Sequence, residues 1–224
     1  MRHFIIGAGG GGTWLIPALK KLFPADTIAV VDGDVFEPSN MDRQLFGPEM
    51  LGMNKASAMG IMHQIQSLPR YYQLGTVDHV STDLIWGCVD NHRARLSILQ
   101  ACDFYHCKSI IAGNEKTSAS AMYYEPSFRG TIRDPRVRYP EIITDHTGDP
   151  LARAMGCVGE IRAGTTQLVS ANHLAVSLAM HLAVAWIKER ESMSESTVDN
   201  YFPWEMTVTL TGASARYGEE KGQP

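Results

Sequence analysis

Apolar residues come in short runs that stop at a glycine or a carboxylate, and between those runs they spread to helical spacing. His3-Phe-Ile-Ile-Gly7 reads as a buried strand running into a turn, and Ile28-Ala-Val-Val-Asp32 as a second strand ending in an acid. The same pattern predicts strands over 3–7, 27–32, about 74–79, 83–89 and 108–112, and helices over 12–22, 54–66 and 91–105. This alternation implies a parallel sheet. Ser118-Ala-Ser-Ala-Met-Tyr-Tyr124 predicts a further strand that ends at Pro126.

Beyond that point the pattern weakens. Residues 125–164 are rich in Pro, Gly, Arg and Asp and show little periodicity, and a loop of that length inside a domain is usually functional or mobile. Residues 165–190 predict a helix capped by Thr165 or Thr166. Leu168 to Ile187 is apolar enough to suggest a membrane span. Asn172, His173, Ser177 and His181 interrupt it, however, so a helix buried against the sheet is expected. A polar stretch leads to a late strand, Trp204 to Leu210, and Tyr217 to Pro224 is expected to fray. The 224 residues, 44% hydrophobic and 20% charged, suit one soluble domain over 1–216 followed by a flexible tail, 217–224. A net charge of −4 gives no electrostatic reason to expect nucleic acid or a membrane as partner. Cys88, Cys102, Cys107 and Cys157 form no C-x-x-C pair and no signal peptide is visible, so reduced thiols in the cytoplasm are expected.

Three stretches carry chemistry. Gly7, Gly9, Gly10 and Gly12 form G-x-G-G-x-G at a strand-to-helix turn, where backbone N–H groups can receive phosphate. Asp32, twenty residues past Gly12, is placed to accept from ribose hydroxyls, with Asp34 beside it. Asn40, Arg43, Gln44 and Lys55 follow directly. A planar guanidinium and a mobile ammonium beside a ribose acid suit a triphosphate, whose developing negative charge they would stabilise, better than a nicotinamide. Lastly, an apolar run ends at Asp90-Asn91-His-Arg-Ala-Arg95. Asp90 there can hold Mg²⁺ against phosphate oxygens, or Asp90 or Asn91 can simply cap a helix with Arg93 and Arg95 on its solvent face. Together these readings give an α/β fold class: a Rossmann-like, mainly parallel central sheet with helices on both faces and late antiparallel strands.

These stretches, G-A-G-G-G-G, D-G-D-V-F-E-P-S-N-M-D-R-Q-L-F, G-M-N-K and V-D-N-H-R-A-R, resemble the ThiF/MoeB/HesA family, relatives of the ubiquitin-activating enzymes. The resemblance covers residues 4–95, and the helix at 165–190 is similar to the family's last core helix. It implies an ATP-dependent adenylyltransferase that activates the C-terminal glycine of a ubiquitin-like or sulfur-carrier protein ending in Gly-Gly and releases pyrophosphate. By that analogy Asp32 holds the ribose, Asn40, Arg43, Gln44 and Lys55 handle the phosphates, and Asp90 serves the Mg²⁺ end. The family also implies a homodimer, a partner-binding crossover loop at 125–164 and, in some members, a cysteine that takes the acyl group. Cys157 stands at that position, with a plain loop residue as its other reading.

The chain departs from the family in two places. Many relatives hold a structural zinc on two C-x-x-C pairs. Here Cys102, His106 and Cys107 offer three ligands without a well-spaced fourth, and no structural zinc is expected. Relatives usually carry an arginine on a helix before the first strand, which serves the neighbouring subunit's phosphates. Here Arg2 is the only arginine upstream, which leaves that role to Arg2, to another arginine or to none. Two other readings stay open: a catalytically weak nucleotide-binding scaffold of the same fold, and an NAD-dependent oxidoreductase, which lacks a catalytic acid or base at these motifs.

Overall fold

The computed structural model describes residues 1–114, 118–145, 169–192, 204–209 and 214–217. One sheet runs through them in the order β3-β2-β1-β4-β5-β6-β7-β8. Its strands are β1 Arg2–Ile6, β2 Thr27–Val31, β3 Gln66–Leu68, β4 Leu84–Gly87, β5 Lys108–Asn114, β6 Ser118–Tyr124, β7 Glu205–Thr209 and β8 Ser214–Tyr217. The first five strands pair in parallel, and β6, β7 and β8 add on antiparallel. This is the expected α/β sheet. Its centre is apolar throughout because parallel strands are covered on both faces: Ile5, Val30, Leu84, Ile85 and Ile110 are all fully buried.

The helices are α1 Gly12–Leu22, α2 Lys55–His63, α3 His92–Tyr105, two single turns α4 Pro135–Arg138 and α5 Glu141–Thr144, and the long α6 Val169–Ser192. Right-handed crossovers place α1 and α2 on one face and α3 on the other, because β1-β2-β3 and β1-β4-β5 step in opposite directions. Leu15, Ile16 and Leu19 of α1 recur at helical spacing and are fully buried. Helix α6 packs against β5, β6 and α1. Val169–Ile187 is long and apolar enough to cross a membrane by length and composition. In this fold its Ala171, Ala175, Ala179, Leu182 and Ala183 face the interior.

Two boundaries differ from the sequence pattern. No strand occupies 74–79. Gly75 takes a left-handed φ of +86° inside a turn that Thr76 closes by bonding Gln73. The third strand is Gln66–Leu68, a three-residue edge strand exposed on both of its first positions, too short and polar to show as an apolar run. Helix α2 accordingly stops at His63, where Gln64 turns left-handed, instead of continuing to 66.

Within 125–164, residues 125–145 are described. Far from forming an open mixed-charge loop, they are tied to the body by Arg136. Its guanidinium donates to Asp134, to Asp103 on α3 at 2.7 Å and to the Tyr124 hydroxyl at the end of β6, and it also lies over the Tyr124 ring. Arg138 pairs with Glu205 of β7. These two arginines hold the fold, while Arg129 remains largely exposed. Arg136 and both its carboxylate partners are nearly buried, so its removal leaves Asp134 without a cation and Asp103 with only the exposed Arg129 at 3.7 Å. Arg136→Ala is expected to lower the unfolding free energy by about 3 kcal/mol in urea titrations, and Arg136→Lys to recover less than half of that because it lacks the fork.

Candidate functional site

Strand β1 lies between β2 and β4, so strand order reverses at its carboxyl end and leaves a crevice there. Three segments predicted to carry chemistry meet at this edge. The chain leaves β1 through the glycine turn, β2 through Asp32 and β4 through Asp90.

Steric limits make the turn glycine-rich. Gly7 has a φ of +95°, and a Cβ on it would lie 2.5 Å from the Cys88 carbonyl oxygen. A Cβ on Gly12 would lie 1.9 Å from the Gly7 carbonyl oxygen. At Gly9 a Cβ would meet nothing within 4 Å, so the turn is crowded behind and open in front. No side chain caps α1 and its first turn carries no acid, which leaves the positive end of the helix available to an anion.

Asp32 joins this turn to the next loop. One of its carboxylate oxygens accepts from the Ala8 N–H at 2.6 Å and the other from the Asp34 N–H at 2.7 Å. Burial, together with the neighbouring Asp34, raises its pKa to about 6, although both N–H groups and Lys55 pull the other way. Lys55 begins α2, is 8% exposed and reaches Asp34 at 3.5 Å. Asn54, which the sequence reading passed over, caps α2 and donates to the carbonyls of both Asp32 and Asp34. Tyr71 was also missed. Its hydroxyl donates to Asp34 and its ring presses on Gly33. Gly33, Pro69, Arg70, Tyr71 and Leu74 line a shallow cleft of about 510 Å³ beside the acids. Neither residue carries a local signal: Asn54 falls inside the stretch read as helix 54–66, and Tyr71 in a stretch given no element.

The arginine loop is fastened to α1. The Thr13 hydroxyl accepts from the Leu45 N–H and donates to the Gly9 carbonyl, while Trp14 Nε1 donates to the Arg43 carbonyl. The Arg43 guanidinium rests on the Ser39 carbonyl and on the exposed Asp42 at 3.0 Å. Asn40 is buried and its amide oxygen accepts from the Glu37 N–H as part of a reciprocal cap, so that oxygen serves the loop itself. Gln44 is 7% exposed, and its Oε1 has no hydrogen-bond partner. A buried amide oxygen without a partner is uncommon in folded proteins and calls for a donor from outside the chain, water or ligand.

At the third segment the two readings separate by residue. Asn91 caps α3, its amide oxygen accepting from the Ala94 N–H at 2.8 Å, so that oxygen serves the helix. Asp90 stays exposed at the end of β4. Arg93 is on the solvent face, whereas Arg95 is half-buried and donates to the Val89 carbonyl. Arg2 lies at the opposite edge. It starts β1 and grips the buried Asp83 through two bonds of 2.8 and 2.6 Å, which removes it from this subunit's phosphate side. Cys88 lies against the turn, and burial pushes its thiol up to about 12. Cys102 and Cys107 are buried in the core. Cys157, with the rest of 146–168, lies outside the described residues.

The donor set suits a nucleotide phosphate chain: an uncapped helix end, an arginine and a lysine. Among the described residues no group of three or more His, Cys, Asp or Glu could hold a metal unaided. An ion beside Asp90 would therefore need phosphate oxygens as further ligands, which is the usual way Mg²⁺ is held.

The chain is similar to known proteins in sequence and in fold. The chain is 30% identical over 119 residues to ubiquitin-like modifier-activating enzyme 5 of Dictyostelium discoideum, a stretch covering 44% of this chain and 31% of that relative. It is 29% identical over 122 residues to the Rattus norvegicus protein of that name, covering 44% and 30%. These matches span about a third of the relatives' length. Among solved structures, Escherichia coli MccB with AMPCPP and MccA has a TM-score of 0.67 at 16% identity, covering 96% of this chain and 62% of MccB. PaaA has a TM-score of 0.64 at 16% identity, covering 97% and 63%. The likeness to both is one of fold. The ThiF family matches over residues 1–211, nearly the whole length, and the chain belongs to that family.

Proposed function

We propose that this chain is an ATP-dependent adenylyltransferase that activates the C-terminal glycine of a ubiquitin-like or sulfur-carrier protein. The observation that carries this reading is the convergence on one sheet edge of an open glycine turn, Arg43 with Gln44, Lys55 and Asp90. The similarity to enzymes named as ubiquitin-like modifier-activating supports it. The partner's carboxylate attacks the α-phosphorus, the bond to the bridging oxygen breaks, and pyrophosphate leaves. No general base is needed, because the nucleophile is already ionised.

In this reading the work is positioning and charge stabilisation. The glycine turn and the start of α1 seat phosphate oxygens, and Asp32 accepts from the ribose. Arg43 exchanges its exposed Asp42 partner for phosphate, a low-cost switch because that pair is solvated. Lys55 moves from Asp34 toward the leaving group, and Gln44 reaches the phosphates through its amide NH2, the donor end of that side chain. Asp90 would hold Mg²⁺, which supplies charge neutralisation along the phosphate chain. Two copies would form the working unit, as the family implies. A scaffold that binds nucleotide without turnover is the second reading, favoured by the commitment of Arg2 to Asp83.

ATP–pyrophosphate exchange with carriers ending in Gly-Gly separates the two. Exchange should require both carrier and Mg²⁺, and Arg43→Ala or Asp90→Ala should reduce it by about 100-fold or more. Tight ATP binding without exchange across a panel of carriers would leave only the scaffold. Cys157→Ala should keep exchange and abolish any acyl-thioester, and loss of both would make the residue structural.

Asp32 gives this reading a pH signature. Its pKa near 6 when folded lies above the ordinary value of 3.8, so the folded state holds this proton more tightly than the unfolded chain does. The stability that this provides is fully present below about pH 4 and is lost as pH rises through 6. Denaturant titrations should show wild type losing roughly 2–3 kcal/mol relative to Asp32→Asn between pH 4 and pH 7. Ribose binding needs the ionised form, so affinity for adenosine should fall about tenfold from pH 7 to pH 5 in wild type and stay flat in Asp32→Asn. A flat profile in wild type would remove Asp32 from ribose recognition.

A further inference from the structure

Asn172 is an orphan in a face built of small apolar residues. It is on the first turn of α6, beside Ala171 and Ala175, and all three are buried. Its exposure is 0%, and neither its Oδ1 nor its Nδ2 has a hydrogen-bond partner. Helix propensity disfavours asparagine at this position and burial of an unbonded amide disfavours it further, so the resting fold does not explain its presence.

Its location does. A Cβ on Gly10 would lie 2.3 Å from Asn172 Nδ2 and 2.9 Å from its Oδ1. The amide is thus packed directly against Gly10 of the glycine turn, whereas Gly9 has open space at its Cβ position. Next door, His173 meets the Trp14 ring edge-on at 4.2 Å, and Trp14 in turn holds the Arg43 carbonyl. The Gly9 carbonyl is already bonded to the Thr13 hydroxyl and backbone N–H. The next carbonyl along the turn is that of Gly10.

We infer that Asn172 is a positioning residue for nucleotide phosphate, acting through Gly10 and resting on the nucleotide-binding reading above. In a trans peptide the N–H and C=O point in opposite directions. When the Gly10–Gly11 peptide aims its N–H forward at a phosphate oxygen, the Gly10 carbonyl is driven backward, onto Asn172 Nδ2. The side-chain amide donates to that carbonyl and holds the turn in its anion-binding orientation. In the structure that donor is unmatched. The same contact accounts for glycine at position 10, where any side chain would fill the space of the amide.

The experiment pairs equilibrium binding with apo stability. Asn172→Leu keeps the shape and removes the polar atoms. Its apo unfolding midpoint should equal or exceed wild type, its affinity for ATP should fall about tenfold, and its affinity for adenosine should stay unchanged. Asn172→Asp, which cannot donate, should lose at least as much ATP affinity. A leucine variant with wild-type ATP affinity, or one that loses apo stability and binds adenosine and ATP equally weakly, would overturn the proposal and leave Asn172 a packing residue. Wild type that binds adenosine but gains nothing from phosphates would overturn it as well. Absence of all nucleotide binding in folded wild type would instead bring down the adenylyltransferase reading and this inference with it. Gly10→Ala should lose both stability and ATP affinity, and adding Asn172→Ala should restore the stability alone. Failure of that rescue would show that the two residues are not in contact in solution.

Discussion

The site depends on one carboxylate with both oxygens occupied by backbone. Asp32 takes the Ala8 N–H from the glycine turn and the Asp34 N–H from its own loop, so two segments that never pair as strands are held in fixed relation. Burial and the nearby Asp34 oppose its ionisation, and the two N–H groups with Lys55 only partly offset them. Asn54 then ties α2 to the same loop through the Asp32 and Asp34 carbonyls. Glycine turn, acid loop and lysine therefore move as a unit, and disturbance of Asp32 would be felt at all three.

Charge is divided between the two edges of the sheet. At the amino edge Arg2 and the chain's N-terminus are neutralised by Asp83 and Asp26 in short, partly buried pairs. Across α3 and β6, Arg136 does the same for Asp103 and Asp134. At the carboxyl edge pairing is loose: Arg43 rests on an exposed Asp42, and Lys55 stands 3.5 Å from an exposed Asp34. Tight pairs resist exchange with a ligand and loose ones permit it. This contrast separates Arg2 and Arg136, which support the fold, from Arg43, whose carboxylate partner is exposed. In the arginine-rich stretch after β6, composition counts the cations but does not show which acids they meet.

The parallel core was legible because its strands are continuous apolar runs and its helices open on glycine or asparagine. Gly7, Gly12, Asp32, Lys55 and Asp90 reach one edge as their order along the chain implied. What escaped the sequence had no local signal. β3 pairs only three residues at an edge and needs no apolar pattern. Asn54 and Tyr71 matter through contacts with Asp34 that arise only once β2 and β3 are side by side. At Asn91 the sequence offered a helix cap, and the Ala94 bond shows it.

Helix α6 is the least local part of the site and the most consequential. The sequence marks Asn172 and His173 only as polar breaks in an apolar helix, a pattern that argues about membranes and not about phosphate. In the fold those two breaks fall where α6 crosses the start of α1, one against Gly10 and the other against Trp14. Trp14 reaches Arg43 and Thr13 reaches Leu45, so the first turn of α6, the glycine turn and the arginine loop form one connected layer.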